Sequence, residues 1–188
     1  MEAVESVSLP AIDSAKIRSE FPALNREIRP GVPLVYLDTT ATSQKPLHVL
    51  DAMERYYRLH NANVHRGIHT LAEESTAQFE RARDLVAEFI GAEDRREVIF
   101  TRNATEAINL VAKTWGKENL REGDRLVVSE MEHHSNLVPW QMVAAEQGAE
   151  IDVVHVGDDG KLDQREFVKL LEKNPKVVCI THMSNVLG

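Results

Sequence analysis

Two adjacent imidazoles stand where a short apolar run ends. His133 and His134 follow the run RLVVS (residues 125–129) and precede an amphipathic stretch that contains Trp140. Imidazoles ligate metals, exchange protons near neutral pH and stack on flat ligands. The spacing by itself leaves these three roles open beside a fourth, that of ordinary surface residues.

A second group of chemically capable residues, TRNATEAIN (residues 101–109), joins an apolar run to a predicted helix. Asn103 and Glu106 have the spacing of a capping box. The free N–H groups and the positive end of the helix dipole would attract an anion, and Thr105 adds a hydroxyl. Helix capping and phosphate binding are equally compatible with this pattern, whereas glycine-rich Walker or dinucleotide loops are absent from the sequence.

Metal and thiol chemistry are less favoured by the sequence. A metal site built from histidines remains an alternative, but neither HExxH nor paired CxxC occurs, and we expect no metal. The candidate ligands would be His65, His69, His133 and His134. The single cysteine, Cys179, lies in the apolar run VVCI, which indicates a buried thiol and not a nucleophile.

The elements that must position these residues alternate between strands and helices. Short apolar runs separated by helices of about a dozen residues are typical of βαβ units and of a buried, mainly parallel sheet with helices on both faces. The predicted strands are residues 97–101, 125–129, 150–156 and 176–182. Helices are predicted upstream over residues 46–59 and 71–90, separated by the irregular loop NANVHRGIHT. The fold class is therefore α/β.

Polar residues gather where the predicted strands end. Ligand sites in parallel sheets form at the carboxyl ends of strands, where loops run into helix N-termini. Three strand ends carry hydroxyl, imidazole and amide groups: residues 101–106, 129–134 and 181–185. We therefore expect them to form one ligand-binding rim.

Composition excludes several classes of partner. The 188 residues suffice for one domain or part of one, and the formal net charge of −8 argues against a nucleic acid or an anionic membrane as partner. No apolar run approaches the roughly 20 residues of a membrane span. The N-terminus lacks the pattern of a signal peptide, so a cytoplasmic location is expected.

Five stretches, taken together and in order, resemble the motifs of the Suf-type (group II) cysteine desulfurases and the related selenocysteine lyases. These are class V aminotransferase-family enzymes with the fold type I of pyridoxal 5′-phosphate (PLP) proteins. The stretches are YLDTTATSQKP (36–46), NVHRGIHTLAEEST (63–76), TRNATEAINLVAKTWG (101–116), SEMEHHSNLVPWQ (129–141) and THMSNVLG (181–188).

The resemblance implies a role for each candidate residue. His133 would stack on the pyridine ring of PLP and assist proton transfer, Ala104 and Thr105 would hold the cofactor phosphate, and Asn185 would bind the ring hydroxyl. Ala41 would help receive the substrate carboxylate. His65 and Arg66 would line the substrate entrance, partly across a homodimer interface.

The resemblance also implies the reaction. L-cysteine would be converted to L-alanine, with the sulfur passed as a persulfide to an enzyme cysteine and on to an acceptor protein of iron–sulfur cluster assembly. Thr40 adds a hydroxyl where the family has alanine, which leaves the choice between L-cysteine and L-selenocysteine open. The alternatives are a selenocysteine lyase or other class V aminotransferase-family enzyme, or a truncated and catalytically inactive chain.

The same resemblance predicts the domain organisation. Residues 1–45 would form an N-terminal arm and helix that contribute to the small domain and the substrate turn, and residues 46–188 the N-terminal portion of the PLP-binding large domain. The Schiff-base lysine, the aspartate that pairs with the pyridine nitrogen and the persulfide cysteine would all follow Gly188. The sheet would then be incomplete at its C-terminal end, with the strand at 97–101 awaiting a late partner and the isolated part folding poorly.

Overall fold

The structure, a computed structural model, describes residues 11–188. The predicted N-terminal arm begins in residues 1–10 and lies in part outside the described residues. The chain divides into two compact units, one ending at Val98 and the other running from Ile99 to Gly188. The predicted boundary between arm and large domain at residue 45 stays a prediction.

The first unit begins with small elements. Helix α1 (Ser14–Ser19) starts at the N-cap Asp13, whose side chain accepts the N–H of Lys16. Strands β1 (Glu27–Arg29) and β2 (Val32–Pro33) pair antiparallel around a turn. Helix α2 (Leu47–Leu59) follows Pro46, which confirms the helix predicted here. Proline suits this position because it has no N–H to leave unsatisfied.

The longest helix of the described chain is α3 (Thr70–Ile90), which confirms the amphipathic helix predicted over 71–90. His69 is its N-cap, and its Nδ1 accepts the N–H of Ala72 at 3.4 Å. Gly91 ends the helix at φ 71°, in the left-handed conformation that glycine adopts without a steric penalty. Ala72, completely buried, faces the loop before the helix.

The second unit contains a parallel three-stranded sheet. Its strands are β3 (Arg125–Ser129), β4 (Glu150–Val154) and β5 (Val177–Cys179), in the order β4-β3-β5. Both pairings of the central strand β3 are parallel. The predicted α/β class with a parallel sheet is confirmed.

Helices cover both faces of this sheet, as expected. Helix α4 (Ala104–Val111) continues through a π-helical segment (Ala112–Gly116) into α5 (Lys117–Asn119); α6 (Val138–Gln147) and α7 (Gln164–Leu171) follow. Leu126 and Val128 pack with Trp140 of α6, whereas Val127 points to the other face and packs with Leu170 of α7. The side chains of Leu126, Val127 and Val128 are fully buried, on both faces of the sheet, which explains why β3 has a continuous apolar run.

One predicted strand is wrong. Residues 95–97 form a 3-10 turn, and residues 98–101 form no strand in the described part of the chain. Both sides of the central strand β3 are occupied, by β4 and β5, and the late strand expected to pair with residues 97–101 is not in the described sheet. Of the apolar side chains in residues 97–101, Ile99 and Phe100 are exposed, at 67% and 44%, whereas Val98 is buried.

Candidate functional site

The start of helix α4 carries a cap that differs in one respect from the predicted capping box. Asn103 is the N-cap, and its Oδ1 accepts the N–H of Glu106 at 2.9 Å. The Glu106 carboxylate accepts the N–H of Arg102 at 2.6 Å, and not that of Asn103. The Arg102 guanidinium also bonds to this carboxylate and holds the pKa of Glu106 below its usual value.

The cap leaves the first amides of α4 for another acceptor. Ala104 and Thr105 are the first two helical residues, both exposed, and their N–H groups precede any intrahelical acceptor. Asn103 bonds to the third amide of the helix, so capping does not compete with an anion at the first two. The two interpretations that the sequence left open are therefore compatible with each other.

His133 is the N-cap of a single 3-10 turn (His134–Asn136) and lies four residues after Ser129, the last residue of β3. Its Nδ1 accepts the N–H of Ser135 at 3.1 Å and lies 2.8 Å from Ser135 Oγ. Since a backbone N–H is always a donor, Nδ1 is the acceptor, and the neutral ring carries its proton on Nε2. The ring is exposed and tilted by 56° against that of His134, at 6.2 Å between centroids, so the two imidazoles do not stack on each other.

Asn185 lies in the segment that follows β5, and its side chain is exposed. Buried Ser184 shapes the backbone around it, because its Oγ accepts the N–H groups of Val186 and Leu187, each at 3.1 Å. Upstream, the Thr181 hydroxyl donates to the Met183 carbonyl at 3.2 Å. Local hydrogen bonds thus organise the backbone that presents this amide.

A residue that the sequence reasoning did not single out, Glu132, joins the ends of β3 and β5. Its carboxylate accepts the Ser129 hydroxyl at 2.5 Å, the Asn136 side-chain amide at 2.7 Å and the Thr181 N–H at 2.8 Å. Asn136 in turn accepts the indole N–H of Trp140 at 3.2 Å. The spacing of four between residues 132, 136 and 140, with a polar group at each, is the sequence signal that could have indicated this chain of bonds.

These contacts bring three segments to one edge of the sheet. The strands β3 and β5 are parallel, with Val128 opposite Cys179, so both end at that edge. Glu132 bonds the segment after β3 to the segment after β5, and α4 packs against the His134–Asn136 turn. The segments that contain His133 and Asn185 therefore meet, and α4, which begins with Ala104 and Thr105, packs against the first of them. The single rim and the individual ligand contacts stay predictions.

The remaining predicted site residues, Ala41, His65 and Arg66, belong to the first unit. Ala41 is exposed in a turn, its N–H donating to the Asp38 carbonyl at 3.2 Å. Arg66 is also exposed. His65 has φ 66°, a rare conformation for a residue other than glycine.

Contacts with α3 explain how His65 is held in that conformation. Its N–H donates to Thr76 Oγ1 at 2.9 Å, its Nε2 lies 3.2 Å from Glu80 Oε1, and its ring meets the edge of Phe79 at 5.5 Å between centroids. The imidazole is therefore engaged with the helix, and Arg66 is the residue of this pair whose charge faces solvent.

Cys179 is buried, as expected from its apolar run. Burial, together with the nearby negative charge of Glu132, raises the pKa of this thiol to about 12. The thiolate is the reactive form of cysteine, so this side chain is chemically inert at neutral pH.

Within residues 11–188, no three His, Cys, Asp or Glu side chains are grouped so that they could hold a metal ion. None of the helices in the same part of the chain has the length and apolar character needed to cross a membrane.

Comparisons with known proteins agree with this architecture. A probable cysteine desulfurase of Synechocystis is 50% identical over 183 residues, which cover 97% of this chain and 43% of that protein. A probable cysteine desulfurase of Halobacterium salinarum is 47% identical over 185 residues, 98% of this chain and 45% of that protein. The chain thus spans less than half the length of these relatives.

Solved structures show the same fold. The apo cysteine desulfurase of Thermococcus onnurineus superposes with a TM-score of 0.83 at 37% identity, over 96% of this chain and 43% of that one. The Escherichia coli cysteine desulfurase CsdA gives a TM-score of 0.73 at 35% identity, over 94% of this chain and 43% of that one.

The aminotransferase class-V family model matches residues 35–188. This match covers all seven predicted site residues and supports PLP as the cofactor, as the sequence predicted. The chain belongs to the aminotransferase class-V family.

Proposed function

We propose that these residues belong to a PLP-dependent cysteine desulfurase of the Suf type, which converts L-cysteine to L-alanine. In the net reaction the substrate C–S bond breaks, an S–S bond forms on an enzyme cysteine, and the carbon takes up a proton. The observation that supports this most strongly is the meeting of three segments, those of Thr105, His133 and Asn185, at one sheet edge.

The donor set at this edge fits PLP. The first amides of α4 and the Thr105 hydroxyl offer hydrogen bonds to a phosphate dianion, with the helix dipole in support. The exposed His133 ring offers a flat face to an electron-poor aromatic ring, and Asn185 offers an amide to its hydroxyl. When bound, PLP supplies an electron sink for the α-carbon of the substrate.

The chain's own residues would divide the remaining tasks. Ala104 and Thr105 bind the phosphate, and Asn185 orients the ring. His133 holds the ring face and, with its proton on Nε2, can exchange that proton at the substrate. His134 has no assigned task. Ala41 would help receive the substrate carboxylate, and His65 and Arg66 would line the substrate entrance.

The wider role is part of the same proposal. The enzyme would act as a cytoplasmic homodimer and pass its persulfide sulfur to an acceptor protein for iron–sulfur cluster assembly. The Schiff-base lysine and persulfide cysteine would come from residues after Gly188, so we expect residues 1–188 by themselves to be inactive. The relatives named as cysteine desulfurases support the reaction class.

The test uses the full-length protein that carries these residues. Reconstitution with PLP should produce Schiff-base absorbance, and addition of L-cysteine with a reductant should release alanine and sulfide. Neither absorbance nor sulfide would refute the proposal. Alanine release compared among L-cysteine, L-selenocysteine and cysteine sulfinate separates the desulfurase from a selenocysteine lyase, the candidate that Thr40 keeps open.

A further inference from the structure

Glu132 connects parts of the chain that are far apart in sequence. Its Oε1 accepts bonds from Ser129, the last residue of β3, and from the N–H of Thr181, just after β5. Asn136, held by its side chain on Oε2, extends the connection to Trp140. Because Trp140 is only 4% exposed and packs in the core, this chain of bonds is anchored in the hydrophobic core of the unit.

The residues attached to this connection are those of the proposed cofactor site. His133 follows Glu132 directly, and Asn185 lies in the organised segment that starts at Thr181. Holding the amide of Thr181 against the carboxylate therefore sets the separation between the two residues proposed to contact the cofactor ring. The pairing of β3 with β5 ends at Val128 and Cys179, and the bond from Thr181 to Glu132 continues the connection beyond it.

We propose that Glu132 is a positioning residue, which holds His133 and Asn185 at the separation that PLP requires. This inference rests on the proposed function. Glu132 itself touches no cofactor in the proposal; it acts through the two segments that its carboxylate joins. Ligand-contacting side chains need supporting residues of this kind, because small displacements of a binding group weaken the site.

The direction of the hydrogen bonds explains why a carboxylate is needed. Trp140 donates to the Asn136 oxygen, so the Asn136 nitrogen must find an acceptor, which Glu132 Oε2 provides. A glutamine at position 132 can keep the bonds from Ser129 and Thr181 on its oxygen, but its nitrogen then faces the Asn136 nitrogen. If the Asn136 amide turned over, its oxygen could accept from the glutamine, but its nitrogen would then face the indole N–H of Trp140, which is also a donor.

This logic yields a substitution and its rescue. Glu132→Gln should disturb the connection, whereas the double variant Glu132→Gln with Asn136→Asp should restore it, because the introduced carboxylate accepts from both the new amide and Trp140. Glu118→Gln, a neutralised carboxylate on the exposed side of α5, is the matched control. Ser129→Ala removes one donor while keeping the Glu132 carboxylate, and it tests the same connection if Glu132→Gln does not fold.

The measured quantity is the affinity of PLP for the apo form of the full-length protein. It is determined by absorbance titration, and visible circular dichroism reports the environment of the bound cofactor. We expect about tenfold weaker PLP binding for Glu132→Gln, since a disrupted hydrogen bond to a charged group has about this effect. The PLP affinity of the double variant should return to within about threefold of wild type. Ser129→Ala should weaken PLP binding by a smaller factor than Glu132→Gln, and Glu118→Gln should leave it unchanged.

Hydrogen exchange provides the second measurement. In Glu132→Gln, the peptides that cover residues 133–137 and 181–187 should exchange faster together, in the absence of substrate. Unchanged PLP affinity in Glu132→Gln, or no recovery in the double variant, would overturn the positioning role while leaving the desulfurase proposal intact. No PLP binding by the wild-type protein would overturn both.

Discussion

The side-chain oxygen of Asn103 accepts the backbone N–H of Glu106 at 2.9 Å, and this bond satisfies the third amide of α4 while leaving the first two. A single asparagine thus starts the helix and keeps its anion-attracting end open. Helix capping by Asn103 and the proposed phosphate binding by Thr105 can be tested separately by substitution, because different residues perform them.

Thr105→Ala should weaken PLP binding by about tenfold, since it removes a hydroxyl from the proposed phosphate site. Helix stability should change little, because Asn103 still caps α4. Asn103→Ala is the reference, expected to lower the free energy of unfolding by about 1 kcal/mol. PLP titration and urea unfolding of both variants check this; equal PLP affinity in Thr105→Ala and wild type would contradict the phosphate assignment.

His133→Ala should reduce alanine release on the order of 100-fold, the scale of a lost acid–base group, whereas His134→Ala should have a small effect. Both imidazoles are exposed, so neither change should unfold the protein. Steady-state kinetics with L-cysteine measure the difference, and thermal melts verify folding. Similar, mild losses in both variants would remove His133 from the site.

The ion pair between β3 and β4 should make an important contribution to stability. Arg125 donates from Nε and Nη2 to the two oxygens of Asp152, each at 2.6 Å, and the Asp152 side chain is only 13% exposed. Asp152→Asn should lower the free energy of unfolding by about 2 kcal/mol. Asp159→Asn, at an exposed pair with Lys161, should have an effect near zero in the same urea experiment.

The same pair predicts a pH dependence. The Arg125 guanidinium lowers the pKa of Asp152, so the folded state retains this carboxylate at pH values where the unfolded state binds a proton. The stabilisation is therefore complete above about pH 4 and is lost as the pH falls through the lowered pKa. Unfolding measured from about pH 7 to about pH 2 should show a shallower acid decline in Asp152→Asn than in wild type.

Cys179 should resist alkylation in the native protein. Burial and the charge of Glu132 raise the pKa of its thiol to about 12, so almost no thiolate exists near neutral pH. Iodoacetamide should modify this residue only after unfolding, as read by mass spectrometry of its peptide. Because the unfolded thiol ionises from about pH 9 and the folded one does not, stability should fall as the pH rises above that value. Rapid native labelling would contradict its burial.

Gly67→Ala should disturb the loop that carries His65 and Arg66. A Cβ at Gly67 would lie 2.2 Å from the Cβ of Ala72, which is fully buried at the start of α3. Such overpacking costs about 1–3 kcal/mol of unfolding free energy. Adding Ala72→Gly should recover part of the loss, and urea unfolding of the single and double variants measures both. A fully stable Gly67→Ala would show that the loop can move away from the helix.

Much of the fold could be predicted from local patterns. Helix α3 and its end at Gly91 follow from apolar spacing and a glycine that accepts φ 71°. The buried run of β3 and the cap at Asn103 follow from equally short-range rules. The strand expected at 97–101 was wrong because an apolar run becomes a strand only beside a partner, and partners are chosen over long sequence distances.

The sequence by itself determined which residue types stand at the strand ends and, through the order of the motifs, the family and the cofactor class. Only the tertiary structure decided that Glu132 bonds to Thr181, 49 residues away, and that His65 turns its imidazole to Glu80. Local propensities reach only a few residues along the chain. Parallel pairing of β3 with β5 brings Glu132 to Thr181, and packing of a loop against α3 brings His65 to Glu80; no spacing rule contains that information.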